Sequence, residues 1–240
     1  FAGFPTFAQR AYDQLIHDVC LQNLPVTLCL DRAGLVGEDG PTHHGVFDLS
    51  YLRQMPNMCV MAPKDEEELR HMLATAIALP GPAAVRYPRG AGLGVALTDS
   101  FEKLPVGKAE VLQEKGEIAF LAVGTMVEHA KAAAAILAEE GIEAAVVNMR
   151  FIKPLDTALI DAIAKTKKLI ITVEENVLAG GFGSAVAEYL ADSGQQVPLV
   201  RFGIPDRFIE QGTRKELLSL CGLQPEQMAE CVRERLSHLA

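Results

Sequence analysis

Short, uninterrupted apolar runs recur along this chain, each followed by a stretch of helical period, and that alternation leaves few folds open. The run Val26 to Leu30 (VTLCL) lies between Pro25 and the charged pair Asp31-Arg32, and its continuous apolar character predicts a strand buried on both faces of a parallel sheet. Further strands are expected at Met58 to Met61, Ala83 to Tyr87, Lys108 to Leu112, Ile118 to Val123, Ala144 to Asn148, Leu169 to Val173 and Pro198 to Phe202. Between them helical spacing predicts a first helix from Thr6 to Cys20, with apolar Phe7, Ala11, Leu15 and Val19 on one face and Thr6 as its N-cap. Others follow near Phe47 to Gln54, Lys64 to Ala78, Val127 to Glu140, Leu155 to Ala164 and Phe182 to Asp192, with one or two more at the end. The stretch PRGAGLGVALTDSFEKL around Arg89 to Leu104 has small residues, turns and no period, and reads as an interdomain linker.

Charge narrows the partners. The 31 acidic residues outnumber 22 basic ones, and no run of Lys or Arg is present to follow a phosphate backbone or an anionic lipid surface, so neither nucleic acid nor membrane is an expected partner. No stretch reaches the roughly 18–20 apolar residues that span a bilayer, and no signal peptide is apparent. Five scattered cysteines without a CxxC pair point to reduced, core-packing thiols. The chain opens FAGFPTFAQR without an initiator Met, which reads as the start of a fragment.

Three segments carry residues suited to chemistry. The first is the loop DRAGLVGEDGPTHHG, which sets Arg32, Glu38, Asp39, His43 and His44 at the carboxyl end of a predicted strand, where open parallel sheets bind ligands. Asp39 and His43 could orient each other or a substrate hydroxyl, and histidine changes charge most readily near neutral pH. The plainer alternative is a turn at Asp39-Gly40, a salt-bridged Arg32 and two solvated histidines. A metal site is the third option and lacks a third ligand at suitable spacing, so no metal ligands are assigned. The second segment, AVRYPRG, brings Arg86 and Arg89 to a strand end, where guanidinium forks suit phosphate or carboxylate, although ion-paired surface arginines fit as well. The third, GGFGSAVAEYL, leads a glycine-rich turn into a helix; it matches neither phosphate-loop pattern and reads as a close strand-to-helix turn. His17, His71 and His129 lie on predicted helices beside acids and read as solvated or capped.

Taken together, TFAQRAYDQLIHDV, LDRAGLVGEDGPTHHGVFDLSYLRQMPNM, AVRYPRG, MRFIKPLD and ITVEENVLAGGFGSAV closely resemble the 1-deoxy-D-xylulose-5-phosphate synthases, thiamine-diphosphate enzymes of the transketolase superfamily. The loop and the FDLSYLR after it are the most specific part; VEEN and GGFG are shared more widely. The resemblance implies an α/β protein of two three-layer domains with mainly parallel sheets. These are an N-terminally incomplete pyrimidine-binding domain with linker over residues 1–105 and a transketolase-like C-terminal domain over residues 106–240. It implies thiamine diphosphate as cofactor, with Mg²⁺ held by a further domain that this chain lacks along with the family's catalytic glutamate. It also implies pyruvate and glyceraldehyde 3-phosphate as substrates, a homodimer, and a bacterial cytosol or a plastid as the compartment. Carried over by motif, Phe7 packs on the aminopyrimidine, Arg10 lies near the reaction centre, Asp39 and His43 meet substrate, and Arg32 and Arg89 hold the acceptor phosphate. The rival readings are another member of the superfamily, either a transketolase or the beta subunit of a 2-oxo acid dehydrogenase, and an inactive assembly module.

Overall fold

Every apolar run expected as a strand forms one in the structure, a computed structural model that describes residues 1–239. Strands β1 (Ala2–Gly3), β2 (Thr27–Asp31), β3 (Cys59–Met61) and β4 (Ala83–Tyr87) run parallel in the order β1-β2-β4-β3. In the second sheet β6 (Ile118–Ala122), β7 (Ala144–Asn148), β9 (Leu169–Val177) and β10 (Leu199–Ile204) run parallel in the order β10-β9-β6-β7, and β5 (Glu110–Gln113) closes the edge antiparallel to β7. Two mainly parallel sheets in an α/β frame therefore stand as expected.

Two strands lie outside those expected: β1, only two residues long, and β8 (Phe151–Lys153), which pairs antiparallel with β3 and completes the first sheet with residues that follow β7 of the second. Three residues between a tight bend and Pro154 give no readable period. Strand β2 also differs from expectation: only Leu28 and Leu30 are buried, while Thr27, Cys29 and Asp31 are half-exposed, because its outer neighbour β1 pairs at just two residues. Strand β9 runs four residues past its predicted end, through buried Glu174, Glu175 and Asn176.

Helical residues 5–20 are broken into α1 (Pro5–Ala8), a 3-10 turn Gln9–Ala11, α2 (Tyr12–Gln14) and a π-helical end Leu15–Cys20. Thr6 is not the cap: Phe4 holds that position ahead of Pro5, and the Thr6 hydroxyl donates to the Thr42 carbonyl at 3.0 Å. The segment is thereby tied to the loop it faces instead of closing its own first turn. The remaining helices are α3 (Asp48–Arg53), α4 (Glu66–Ala78), α5 (Met126–Glu139), α6 (Thr157–Thr166), α7 (Phe182–Asp192), α8 (Arg214–Leu220) and α9 (Pro225–Ser237). Asp65 caps α4 by accepting the Glu68 amide at 2.7 Å, as the acid-rich start of that helix suggests.

The linker is irregular but anchored along α4. Glu66 accepts the amides of Leu93, Gly94 and Val95; Glu67 accepts that of Thr98; His71 accepts that of Glu102; and Thr75 accepts that of Leu104. His71 is therefore a half-buried acceptor beside Glu67, held in place and not simply solvated. One apolar core, with Leu30, Leu52, Val60, Leu121, Val147 and Phe182 among its members, runs from the first sheet to the second. A second core of similar extent and a smaller third one back the outer faces. Among the described residues no helix is long and apolar enough to cross a membrane. All five cysteines are free thiols; Cys20 and Cys59 are buried, and burial pushes Cys59 up to about 12, as suits a packing residue.

Candidate active site

Register places the site. Asp31 at the end of β2 sits opposite Tyr87 at the end of β4, so the residues that follow each strand leave the sheet side by side at its carboxyl edge. Arg32 adopts a left-handed backbone (φ 68°), a costly conformation for a branched-chain-free but bulky side chain. That turn lays its guanidinium over the Phe4 ring at 4.3 Å and within 2.8 Å of Asp39 Oδ2. Arg89 reaches the same oxygen at 2.6 Å. Two guanidiniums thus converge on one carboxylate oxygen, leaving a net positive charge that a second anion can share.

The loop places Asp39 in a short 3-10 turn, Gly37–Asp39, ended by Gly40 at φ 71°. Beyond it the two histidines part company. His43 is half-buried; its ring meets Phe7 edge-on at 5.4 Å and its Nδ1 lies 2.9 Å from the Thr42 hydroxyl, while Nε2 has no partner among the described residues. His44 is buried: its Nδ1 accepts the Val36 amide at 3.1 Å, which leaves the proton on Nε2 to donate to the Glu210 carbonyl at 3.3 Å. The structure thus separates a histidine open to chemistry from one that braces the loop. Phe7 is 51% exposed, which departs from the apolar-face reading of its helix; Phe4 lies at 5.5 Å on its other side. Arg10, one turn on, is exposed with no ion-pair partner among the described residues, and Glu38 is exposed as well.

A cleft of about 460 Å³ opens at this edge, lined by Arg32, Arg89, Tyr87, Lys64 and Thr125. Lys64 in it is committed to carboxylates, 3.0 Å from Glu110 and 3.5 Å from Asp65. A larger hollow of about 1070 Å³ lies at the amino ends of the second sheet's strands, beside Gly116, Lys168 and Arg233. It contains none of the candidate residues, and parallel sheets present their chemistry at the other edge. Among the described residues no group of three His, Cys, Asp or Glu side chains is placed to hold a metal ion.

One motif reading needs revision and another stands. Arg86 is neither a surface ion pair nor an anion ligand: it is 5% exposed and grips buried Asp48 through two hydrogen bonds, 2.8 and 3.1 Å, with further donation to the Gly45 and Glu175 carbonyls. The glycine-rich turn is structural, as expected, for a reason invisible in sequence: the Glu174 carboxylate sits at the start of α7 and accepts the Phe182 and Gly183 amides, both at 2.7 Å. The place a phosphate would take is filled by the chain's own carboxyl group. A Cβ on Gly181 would lie 2.2 Å from that carboxylate.

The partners missed in sequence are those of β9. Asn176 accepts the Leu49 amide at 3.1 Å and donates to the Ser50 hydroxyl at 3.0 Å, and Glu175 accepts the Leu35 amide at 2.8 Å. The one available signal was three consecutive polar residues continuing an apolar strand; burial of such groups demands partners from elsewhere.

Comparison with known proteins agrees with this anatomy. Residues 1–93 match the family model described as transketolase, pyrimidine binding domain, and residues 107–228 match transketolase, C-terminal domain. The chain is 59% identical over 237 residues to the 1-deoxy-D-xylulose-5-phosphate synthase of Pelotomaculum thermopropionicum, covering 98% of this chain and 37% of the relative. It is 57% identical to 1-deoxy-D-xylulose-5-phosphate synthase 1 of Geobacter metallireducens, covering 97% of this chain and 37% of that one. The chain therefore spans little more than a third of the length of these relatives. Among solved structures, a split-gene transketolase described as an inactive beta4 tetramer superposes with a TM-score of 0.88 at 32% identity, over 98% of this chain and 75% of that one. By these matches, and by the two sheets and the loop geometry that accompany them, the chain belongs to the transketolase family and carries that family's pyrimidine-binding and C-terminal domains.

Proposed function

We propose that this chain is the pyrimidine-binding and C-terminal portion of a 1-deoxy-D-xylulose-5-phosphate synthase, joining pyruvate, with loss of CO₂, to glyceraldehyde 3-phosphate. The observation that carries this reading is the convergence of Arg32 and Arg89 on Asp39 beside His43, in the loop that most specifically resembles that family. The proposed division falls between residues 105 and 106, and the proposed assembly is a homodimer in a bacterial cytosol.

The residues present fit part of thiamine diphosphate. The exposed Phe7 ring, flanked by Phe4 and His43, offers a flat apolar face for the aminopyrimidine. Among the described residues no group of three His, Cys, Asp or Glu side chains is placed to hold Mg²⁺, and we assign the ion, with the diphosphate it accompanies, to a domain outside these residues. By itself the chain is then inactive, as the similar beta4 tetramer is described. When bound, the cofactor supplies the electron sink for decarboxylation.

The chain's own residues bind and move protons. Arg32 and Arg89 hold the acceptor's phosphate, one negative charge of which balances the single positive charge that Asp39 leaves on the pair. Asp39 orients a substrate hydroxyl, and His43 gives or takes a proton at the developing alkoxide through Nε2, with Nδ1 held against Thr42. Arg10, exposed one turn from Phe7, supplies a cation for the donor carboxylate.

The test replaces the matching 237 residues of the Pelotomaculum thermopropionicum relative with this chain and follows CO₂ release from pyruvate. Release that depends on glyceraldehyde 3-phosphate is the expected result. A folded chimera that transfers two-carbon units from ketose donors, or that turns over neither substrate, overturns the reading.

A further inference from the structure

The loop that bears Asp39 and His43 belongs to the first sheet and is tied to it through Ala33 and Tyr87, yet it has further fixed points in the second. Glu175, in β9, is 2% exposed at its side chain and uses both oxygens. Oε1 accepts the Leu35 amide at 2.8 Å; Oε2 accepts the Thr125 hydroxyl at 3.2 Å and an Arg214 guanidinium N–H at 2.5 Å. Gly34, in the left-handed region at φ 81°, lies flat against this carboxylate: a Cβ there would stand 2.5 Å from its carboxyl carbon. The next amide, Val36, is taken by His44, whose other nitrogen donates to Glu210, again from the second half of the chain. The turn Gly37–Asp39 starts directly after these two anchored amides. Thr125, the third group on Glu175, lines the same cleft as Arg32 and Arg89.

A buried carboxylate needs a cation and full hydrogen bonding to be tolerated, and an apolar side chain would fill the space at less cost. What a carboxylate adds is direction: two fixed oxygens, one on the loop backbone and one on the cleft wall. We propose that Glu175, held in place by Arg214, is a positioning residue that sets the shape of residues 33–45 and through them the placement of Asp39 and His43. The C-terminal domain then shapes the substrate loop instead of only packing beside it. This rests on the reading of Asp39, Arg32, Arg89 and His43 as the substrate site.

The experiment uses the 240-residue chain with Glu175→Gln, and Arg214→Met as a second variant on a less buried group should the first fail to fold. Hydrogen exchange is followed at the Leu35 and Val36 amides and in β6, β7 and β9, and inorganic phosphate is titrated against the His43 ring resonances. The expected result is exchange in residues 33–45 faster by roughly tenfold or more, the factor that loss of one charge-assisted hydrogen bond gives, with the strands unchanged. Phosphate affinity should fall alongside it. Faster exchange spread equally over loop and strands, or unchanged loop exchange, overturns the proposal. The underlying site reading fails separately, if phosphate leaves the His43 resonances of the unaltered chain unmoved or if Arg89→Ala binds phosphate as well as the unaltered chain.

Discussion

His43 and His44 are neighbours in sequence with opposite fates, and the difference is what each ring touches. The ring of His44 is consumed by Val36 and Glu210, whereas His43 keeps Nε2 available next to Phe7. In a complete synthase carrying this chain, His43→Ala should lower turnover roughly a hundredfold or more, the usual loss for an acid-base group. An unchanged kcat removes His43 from the chemistry. Gly34 makes a second residue-scale case. Its left-handed backbone and its contact with Glu175 both exclude a side chain, so Gly34→Ala should cost about 2 kcal/mol or more in chemical denaturation. A loss near zero would mean that the loop can retreat from β9.

At the scale of elements, β9 and α7 form a unit whose polar end is self-satisfied. Burial pushes the Glu174 carboxyl up to about 8, against the pull of the two α7 amides and of Arg86 and Arg201. The folded state therefore holds this proton more tightly than the unfolded chain, whose carboxyl titrates near the ordinary 4.5. The stability this group contributes is complete below the unfolded value and is lost as pH rises towards 8, after which it is level. Glu174→Gln, neutral throughout, should be less stable at low pH, because an amide nitrogen would oppose a backbone N–H, and the gap to the unaltered chain should narrow as pH rises. Urea midpoints of both proteins across the window give the answer, and a constant gap excludes titration of Glu174 there. Strand β8 shows the same lesson for topology: three residues with no period of their own are a strand because β3 offers an edge.

Over the whole molecule the two sheets behave as one body. The main core continues from Leu30 and Val60 to Leu121 and Phe182 without a break. Buried Glu68 of α4 receives Arg150 at 2.6 Å and both amide bonds of Asn148 from the second half. Thermal unfolding should therefore be a single cooperative transition. Arg150→Ala, which removes the nearer of the two cations on the buried Glu68 carboxylate and leaves Lys64 at 3.7 Å, should cost about 3 kcal/mol and lower that one transition as a whole. Two resolved transitions, one unaffected by Arg150→Ala, would show that the halves fold independently.

Periodicity alone determined the α/β class, the strands with apolar runs and the place of α4, because each depends on neighbours a few positions away. The loop at the carboxyl edge was legible as well, since glycines and polar groups after an apolar strand have little other use. What only the tertiary structure decided was which of those polar groups are free. Arg86, His44, Glu174 and Glu175 are as polar in the sequence as Arg89, His43 and Asp39, and no local pattern separates them. The buried four find partners 8 to 166 positions away in the chain: Glu174 in the turn that opens α7, Arg86 in Asp48 of α3, and His44 and Glu175 in groups of the opposite half of the chain that only tertiary packing brings within hydrogen-bond reach.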